Sequence, residues 1–230
     1  MRDLVALVTG ASRGIGQATA IALAKRGAHV ILTARTQGGL EDTDDAIRAA
    51  GGTATLLPLD LIKEAEQLDA LGPTILERFG RLDILVHAAG LLAKLTPVAH
   101  IMPRDWNESL AVNATACWRL IRTTDPLLRA APSGRALVLT DSRVLVPRAY
   151  WGLYGAAKAA QHHLVQTWAE EVAATKLRVA LFDPGTVATN LRATAMPGED
   201  PATLRQPTQA GEAIAARIET GFSPGEVLRA

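Results

Sequence analysis

Thr9-Gly10-Ala11-Ser12-Arg13-Gly14-Ile15-Gly16 follows directly on the apolar run Leu4-Val5-Ala6-Leu7-Val8, and the junction of the two decides the fold. A short aliphatic run that ends in glycines and passes into a helical pattern, here residues 15–26, reads as a buried strand, a tight turn and the opening of a helix. Glycines let the chain turn sharply and let phosphates approach the backbone, while the free amides and dipole of the helix start favour an anion. The turn Gly10 to Gly16, with Ser12, Arg13 and Ile15 between its glycines, therefore points to a dinucleotide. A plain strand-to-helix turn with no ligand is the alternative, and it leaves three glycines and the helix start unused.

Outward from the turn, short apolar runs alternate with longer helical stretches to the end of the chain, which favours βαβ units and a parallel sheet. Strands are predicted at residues 29–33, 54–59, 84–88, 136–140 and 179–182, with a short last one at 226–228. They are continuous rather than alternating in apolar character, so burial on both faces is expected. Helices are predicted over residues 40–50, 62–79, 103–128, 150–175 and 208–219. Gly72-Pro73 is expected to break or restart the third helix. The whole reads as a single α/β domain over residues 1–230, a doubly wound, mostly parallel sheet of about seven strands with helices on both faces.

Composition narrows the partners. Apolar residues make up 48% of the chain and charged ones 20%, enough to build a core and too apolar for disorder. The 24 basic residues nearly balance the 23 acidic ones and the arginines are scattered, so no footprint for nucleic acid or an anionic membrane emerges. Cys117 is the single cysteine, which excludes an internal disulfide and fits a reducing compartment such as the cytoplasm. No apolar run approaches the ~18 residues of a membrane span, and the opening apolar stretch runs straight into the glycine turn, as a strand does and a leader does not. The five histidines show no zinc-ligand spacing, so no metal is expected.

Tyr154 and Lys158 stand four residues apart in a predicted helix, hence on one face. A phenol, with a pKa of about 10, is a poor acid at neutral pH, and an adjacent ammonium is expected to lower that value. A proton donor of this kind beside a bound dinucleotide suggests hydride transfer.

The glycine spacing, with Gly10, Gly14 and Gly16, resembles that of the short-chain dehydrogenase/reductase family rather than the commoner G-x-G-x-x-G fingerprint. The resemblance extends from Leu4 to about Thr189: Asp60-Leu61 after the third strand, His87-Ala88-Ala89-Gly90 at the fourth, Asn113, Ser142, Tyr154, Lys158, and Pro184-Gly185-Thr186-Val187-Ala188-Thr189 after the sixth. It implies a Rossmann fold and an oxidoreductase that moves a hydride between a nicotinamide cofactor and a carbonyl or alcohol. In that reading Tyr154 is the general acid/base, Lys158 lowers its pKa and binds the nicotinamide ribose, Ser142 donates to the substrate oxygen, and Asn113 holds a water linked to Lys158. Asp60 and Leu61 border the adenine, Ala89 and Gly90 the adjoining ribose, and Pro184, Gly185, Val187 and Thr189 the nicotinamide end.

NAD-dependent enzymes carry Asp or Glu after the second strand to accept from the ribose 2′-hydroxyl. Here the chain reads Thr33-Ala34-Arg35, and Arg35 with Arg13 suits the 2′-phosphate of NADP(H). Two departures from the family stand out. The usual serine-to-tyrosine spacing lands on Asp141, and a one-residue deletion within residues 143–149 is preferred here because it returns Ser142 to the donor place. His87-Ala88 replaces a pair of asparagines, and His87 is expected to be a satisfied strand-end histidine.

Residues 190–207 are too irregular for a strand or long helix and resemble the family's substrate lid. By the same analogy Leu92, Leu145, Trp151 and Met196 are expected to line a mostly apolar pocket. Residues 156–172 carry apolar side chains around much of a helix, which with the family's habits implies a homodimer or homotetramer. Two rivals remain at this stage: an NADP(H)-binding sensor or scaffold that has lost turnover, and a methyltransferase using the glycine turn for an adenosyl ligand.

Overall fold

The computed structural model describes residues 1–229, with the backbone alone at Val144 and Leu145. In chain order its elements are β1 (Val5–Thr9), α1 (Gly14–Lys25), β2 (His29–Ala34), α2 (Gln37–Ala49), β3 (Thr53–Pro58), α3 (Gln67–Phe79), β4 (Ile84–His87), α4 (Pro103–Leu110) and α5 (Ala116–Ala130). Then come β5 (Arg135–Leu139), α6 (Gly152–Glu171), β6 (Arg178–Asp183), α7 (Asn190–Ala195), α8 (Pro207–Thr220) and β7 (Val227–Arg229). The seven strands form one sheet in the order β3-β2-β1-β4-β5-β6-β7, and every pairing is parallel.

The continuous apolar runs become strands because both faces of the sheet are covered. Val5 and Leu7 of β1, Leu85 of β4 and Val138 of β5 face a layer filled by Leu71 and Ile75 of α3, Leu120 of α5 and Val165 of α6. Ala6, Val8, Val86, Leu137 and Phe182 point the other way, against Leu23 of α1, Ile47 of α2 and Ile214 of α8. The two-residue period of a strand thus divides one run of aliphatics between two cores. The edge strand β3 departs from the expectation: none of its residues is fully buried, because only β2 adjoins it.

Two helices also differ from expectation. α3 starts at Gln67 rather than at residue 62, because a local turn takes up the preceding residues: the Asp60 N–H donates to Glu64 Oε2 at 2.7 Å and Ile62 N–H to Asp60 Oδ1 at 2.9 Å. It then runs through Gly72-Pro73 unbroken. Pro73 has no N–H to give the Asp69 carbonyl, and Thr123 Oγ1 on α5 donates to that carbonyl at 3.0 Å while accepting from Gly72 N–H at 2.8 Å. A Cβ on residue 72 would lie 2.0 Å from the Thr123 carbonyl oxygen, so glycine is what lets α5 approach closely enough to make the repair. The single helix predicted over 103–128 is α4 and α5 joined by a π turn, Ala111–Thr115, centred on Asn113.

Strand order reverses its progression between β1 and β4, where Thr9 pairs with His87. In open parallel sheets the crevice beyond the strand ends at such a point is where ligands bind. The glycine turn after β1 and Ala88 to Gly90 after β4 meet there.

Candidate active site

The turn after β1 is shaped by contacts that leave no room for side chains. Gly10 has φ +66°, and a Cβ there would sit 2.9 Å from the Ala89 amide nitrogen; a Cβ on Gly16 would sit 2.2 Å from the Gly10 carbonyl oxygen. α1 begins after Arg13 with no side chain capping it, so its first amides face the crevice unsatisfied. Thr9 Oγ1 ties the turn to β4 by accepting from the Ala88 and Ala89 N–H groups at 3.2 and 3.1 Å. Its own proton therefore goes to His87 Nδ1, 2.8 Å away, which places the imidazole proton on Nε2.

A cavity of about 420 Å³ opens at this point and spans the sheet from β2 to β6. Such a volume lies within the ordinary range for ligand pockets. One end is walled by Gly10, Ser12, Arg13, Gly14, Ile15 and Gly16 together with Arg35, Asp60 and Leu61. Arg13 and Arg35 are exposed and form no ion pair among the described residues. Asp60 contributes a wall but spends Oδ1 on Ile62 and Lys63 N–H groups, and those bonds hold its carboxyl below the usual carboxylate range. Ala89 and Gly90 line the middle of the cavity, and Pro184, Gly185, Val187 and Thr189 its far end. Thr189 caps α7, its Oγ1 accepting from Arg192 N–H at 3.2 Å.

The residues present fit a dinucleotide. The glycine cradle is a space a Cβ would fill, an uncapped helix start adjoins it, and two guanidinium groups without carboxylate partners stand at the same rim.

Tyr154 and Lys158, one turn apart on α6, both line the cavity. Their relation differs from the one expected. Lys158 is 4% exposed, and its Nζ donates to the Leu139 carbonyl at 2.9 Å and to Gln161 Oε1 at 2.8 Å. Burial brings its pKa down to about 8. The Tyr154 pKa is raised rather than lowered, by burial first and then by the Asp141 carboxylate, with Arg143 opposing and Asp183 adding to the rise. The predicted lowering by Lys158 is absent because the ammonium is held on the β5 carbonyl and Gln161. Trp151 packs edge-on against the Tyr154 ring at 6.0 Å.

The wall beside Tyr154 carries Asp141 where a serine was expected. Asp141 lines the cavity and Ser142 does not. After β5 ends, Asp141 caps a short 3-10 turn, Ser142–Leu145, by accepting from Arg143 N–H at 3.2 Å. That turn carries Ser142 toward β6, where its N–H donates to Asp183 Oδ2 at 3.2 Å and its Oγ is buried without a partner among the described residues. The preference for Ser142 is corrected on this geometry. Asn113 also lies outside the lining: its amide is taken by the Leu91 backbone, donating to the carbonyl at 2.8 Å and accepting from the N–H at 3.0 Å. Of the residues expected around the substrate, Trp151 lines the cavity and Met196 a small annex to it, while Leu92 lines neither and the Leu145 side chain falls outside the described residues.

Residues 4–200 match the model of the family described as short chain dehydrogenase. The chain belongs to the short-chain dehydrogenase family. It is 37% identical over 210 residues to the uncharacterized oxidoreductase YciK of Escherichia coli, covering 90% of this chain and 82% of that one. A short-chain dehydrogenase structure from Shigella flexneri, solved complexed with NADP, superposes with a TM-score of 0.93 at 31% identity, covering 100% of this chain and 97% of the other. One from Escherichia coli, complexed with NADPH, gives 0.92 at 31% identity with the same coverages.

Within this short-chain dehydrogenase, several site residues escaped the sequence reading. Gln161 is three positions after Lys158, a spacing that places both on one face of α6 and carried the signal. Arg192 reaches the cavity from α7, inside the stretch read from sequence as an irregular lid, and Arg143, weighed from sequence as a contact for an anionic group but taken for an ordinary surface arginine, reaches it from the 3-10 turn after β5. His87 is only half satisfied: Nε2 has no partner among the described residues, and burial, then the Lys158 ammonium, push its pKa down to about 3, so it is a neutral donor rather than a proton carrier.

Proposed function

We propose that this oxidoreductase reduces a carbonyl, or oxidises the corresponding alcohol, with NADP(H), and that Tyr154 is its general acid/base. The observation that carries the reading is that the glycine turn, Arg13, Arg35, Tyr154 and Lys158 border one cavity. The amides opening α1 and Gly10 to Gly16 would take the pyrophosphate, and Arg13 and Arg35 the 2′-phosphate in charge-assisted bonds. A reduced dinucleotide held by these residues would supply the hydride that the carbonyl carbon gains as its C–H bond, with the C=O π pair moving to oxygen. Tyr154 gives its hydroxyl proton to that oxygen and is left as phenolate. The raised pKa keeps Tyr154 protonated at neutral pH and makes it a weaker acid than a free phenol, so its proton passes only to an oxygen made strongly basic by hydride addition. Charged Lys158, held on the Leu139 carbonyl and Gln161, is the proton reserve from which the phenol is restored, and the reverse oxidation draws on the same groups.

The substrate is a small carbonyl or alcohol compound, admitted under a lid over 190–207. The lid is tied at its base by Arg205, whose carbonyl accepts from Ala188 N–H at 2.9 Å and whose guanidinium donates to the Pro184 carbonyl at 3.0 Å, and at its tip by a bidentate Arg192–Glu199 pair. No helix is long and apolar enough to cross a membrane among the described residues, and a cytoplasmic location is proposed. A homodimer or homotetramer is proposed from exposed Trp106 and Trp118 on α4 and α5, not from Trp168, which is buried with Nε1 on Asp125 Oδ1 at 2.7 Å.

The test is a panel of ketones and aldehydes with NADPH and NADH. NADPH-dependent turnover that Tyr154→Phe lowers at least about 1000-fold, with NADPH binding retained, is the expected result. Equal turnover by Tyr154→Phe would remove the tyrosine from the mechanism.

A further inference from the structure

The wall beside Tyr154 presents a chemical problem. Charge grows on the substrate oxygen during reduction and a second donor beside the acid stabilises it. Yet of the residues lining the cavity at the end of β5, Leu139, Thr140 and Asp141, Thr140 is buried with its hydroxyl toward His162 and the one at the expected donor place is a carboxylate, Asp141. A bare carboxylate there would repel the developing alkoxide.

Asp141 is not bare. Its Oδ1 accepts from the backbone N–H and from Nε of Arg143, both at 3.2 Å. The guanidinium is fixed at a second point, Nη1 donating to Thr186 Oγ1 at 3.0 Å. Thr186 follows Pro184-Gly185, so Arg143 spans from the end of β5 to the loop after β6, across the cavity end that holds Tyr154. Arg143 lines both the main cavity and its annex. Held through Nε and Nη1, it makes no hydrogen bond from Nη2 among the described residues. A planar fork anchored on two atoms with its third nitrogen open is a pre-organised donor for an oxygen. Its side chain is half exposed, open to the cavity mouth rather than sealed in the core, and its charge acts on the Tyr154 hydroxyl in the sense opposite to Asp141.

Resting on the proposed function, we infer that Arg143 is a catalytic residue of this chain: its guanidinium, oriented by Asp141 and Thr186, donates to the substrate oxygen beside Tyr154 in place of a serine hydroxyl. Asp141 is then a positioning residue. Its charge is cancelled locally by the arginine it aims, which explains how a carboxylate occupies this wall of an oxidoreductase. The bond changes are those of the reduction itself: a C–H bond forms at carbon from the dinucleotide hydride, the π pair moves to oxygen, the Tyr154 proton closes the alcohol, and Arg143 neither gains nor loses a proton.

The test uses the full chain, with 9,10-phenanthrenequinone and NADPH for turnover and benzoate binding to the NADP-loaded protein as a readout independent of turnover, its carboxylate standing in for the oxyanion. Arg143→Ala is expected to weaken benzoate at least tenfold and to lower kcat about 100- to 1000-fold, with the NADPH dissociation constant within about threefold of the parent. Asp141→Ser added to Arg143→Ala should recover at least tenfold more of the lost rate than Asp141→Ala added to Arg143→Ala, since only the hydroxyl replaces the lost donor whereas both remove the carboxylate; equal recovery by the two would reduce Arg143 to a shield of Asp141 and overturn the assignment. Benzoate affinity and kcat untouched in Arg143→Ala, no benzoate binding by the parent at millimolar concentration, or the same losses in Ser142→Ala with Arg143→Ala unaffected would each overturn the assignment. Tyr154→Phe, run in parallel, separates the two readings: its full activity would sink the proposed function, whereas its inactivity beside an active Arg143→Ala would sink only this inference.

Discussion

The two ends of the cavity are built by different means. The end made by β1, the glycine turn and α1 is backbone: its shape follows from Gly10 and Gly16, whose missing side chains let Ala89 and the Gly10 carbonyl close in. The end made by β5, the turn after it and α6 is built of side chains, Asp141, Arg143, Tyr154 and Lys158, of which Arg143 is aimed by a hydrogen bond to Thr186 and Lys158 by one to the Leu139 carbonyl, both distant in sequence. A backbone site depends on which residues are absent, and a side-chain site on where flexible groups point. The first should therefore fail all at once when altered, and the second by degrees.

Gly16→Ala attacks the backbone end and should have the largest effect. With 2.2 Å between the added Cβ and the Gly10 oxygen, the turn must shift. A stability loss of about 1–3 kcal/mol or more is expected, with NADPH and NADH affinity both lost in fluorescence titration. Retention of NADPH affinity would mean that the turn does not hold the dinucleotide.

Arg35→Ala is graded. Loss of a charge-assisted bond worth about 1.5–3 kcal/mol corresponds to a rise of roughly 10- to 150-fold in the NADPH dissociation constant. NADH affinity should be unmoved. Equal losses for both coenzymes would place Arg35 away from the 2′-phosphate.

A subtler test reads the pH dependence of the side-chain end. Tyr154, raised by burial, keeps its proton across the accessible range, while Lys158 at about 8 does not keep its charge. Since reduction uses the protonated phenol and the charged ammonium, kcat/KM should fall as pH rises through about 8, and the limb belongs to the lysine. Around its ammonium stand His87, Cys117, Gln161 and Asp141, of which Gln161 accepts its hydrogen bond at 2.8 Å. Gln161→Glu places a carboxylate there and should move the limb upward by about one to two pH units. An unmoved limb would assign it to another group.

The smallest effect on the site should come from Thr123→Val, far from both ends. It strands the Gly72 N–H and the Asp69 carbonyl, at an expected cost of about 1–3 kcal/mol in denaturant unfolding, with NADPH affinity unchanged. A loss of affinity would couple the α3–α5 contact to the crevice.

The same contrast governs what could be read from sequence. The strand runs and the glycine turn are local statements about burial and backbone freedom, so the sheet and the dinucleotide end were legible; β3 was misjudged only because an edge cannot be told from a centre without knowing its neighbours. The continuity of α3 through Pro73 was not legible, since the rescuing hydroxyl lies 50 residues away on Thr123. Nor was the choice between Asp141 and Ser142, which a single-residue difference in loop length decides, or the hold of Gln161 and the Leu139 carbonyl on Lys158. Side-chain aim is a tertiary property, and the proposed catalytic end of this protein consists largely of it.

The most direct measurement is a crystal structure with NADPH bound. The account predicts the pyrophosphate on the amides of residues 14–16, the 2′-phosphate between Arg13 and Arg35, and the nicotinamide beside the Tyr154 hydroxyl with Pro184-Gly185 behind it. A nicotinamide lying out of reach of the Tyr154 hydroxyl, or a 2′-phosphate contacting neither arginine, would contradict it.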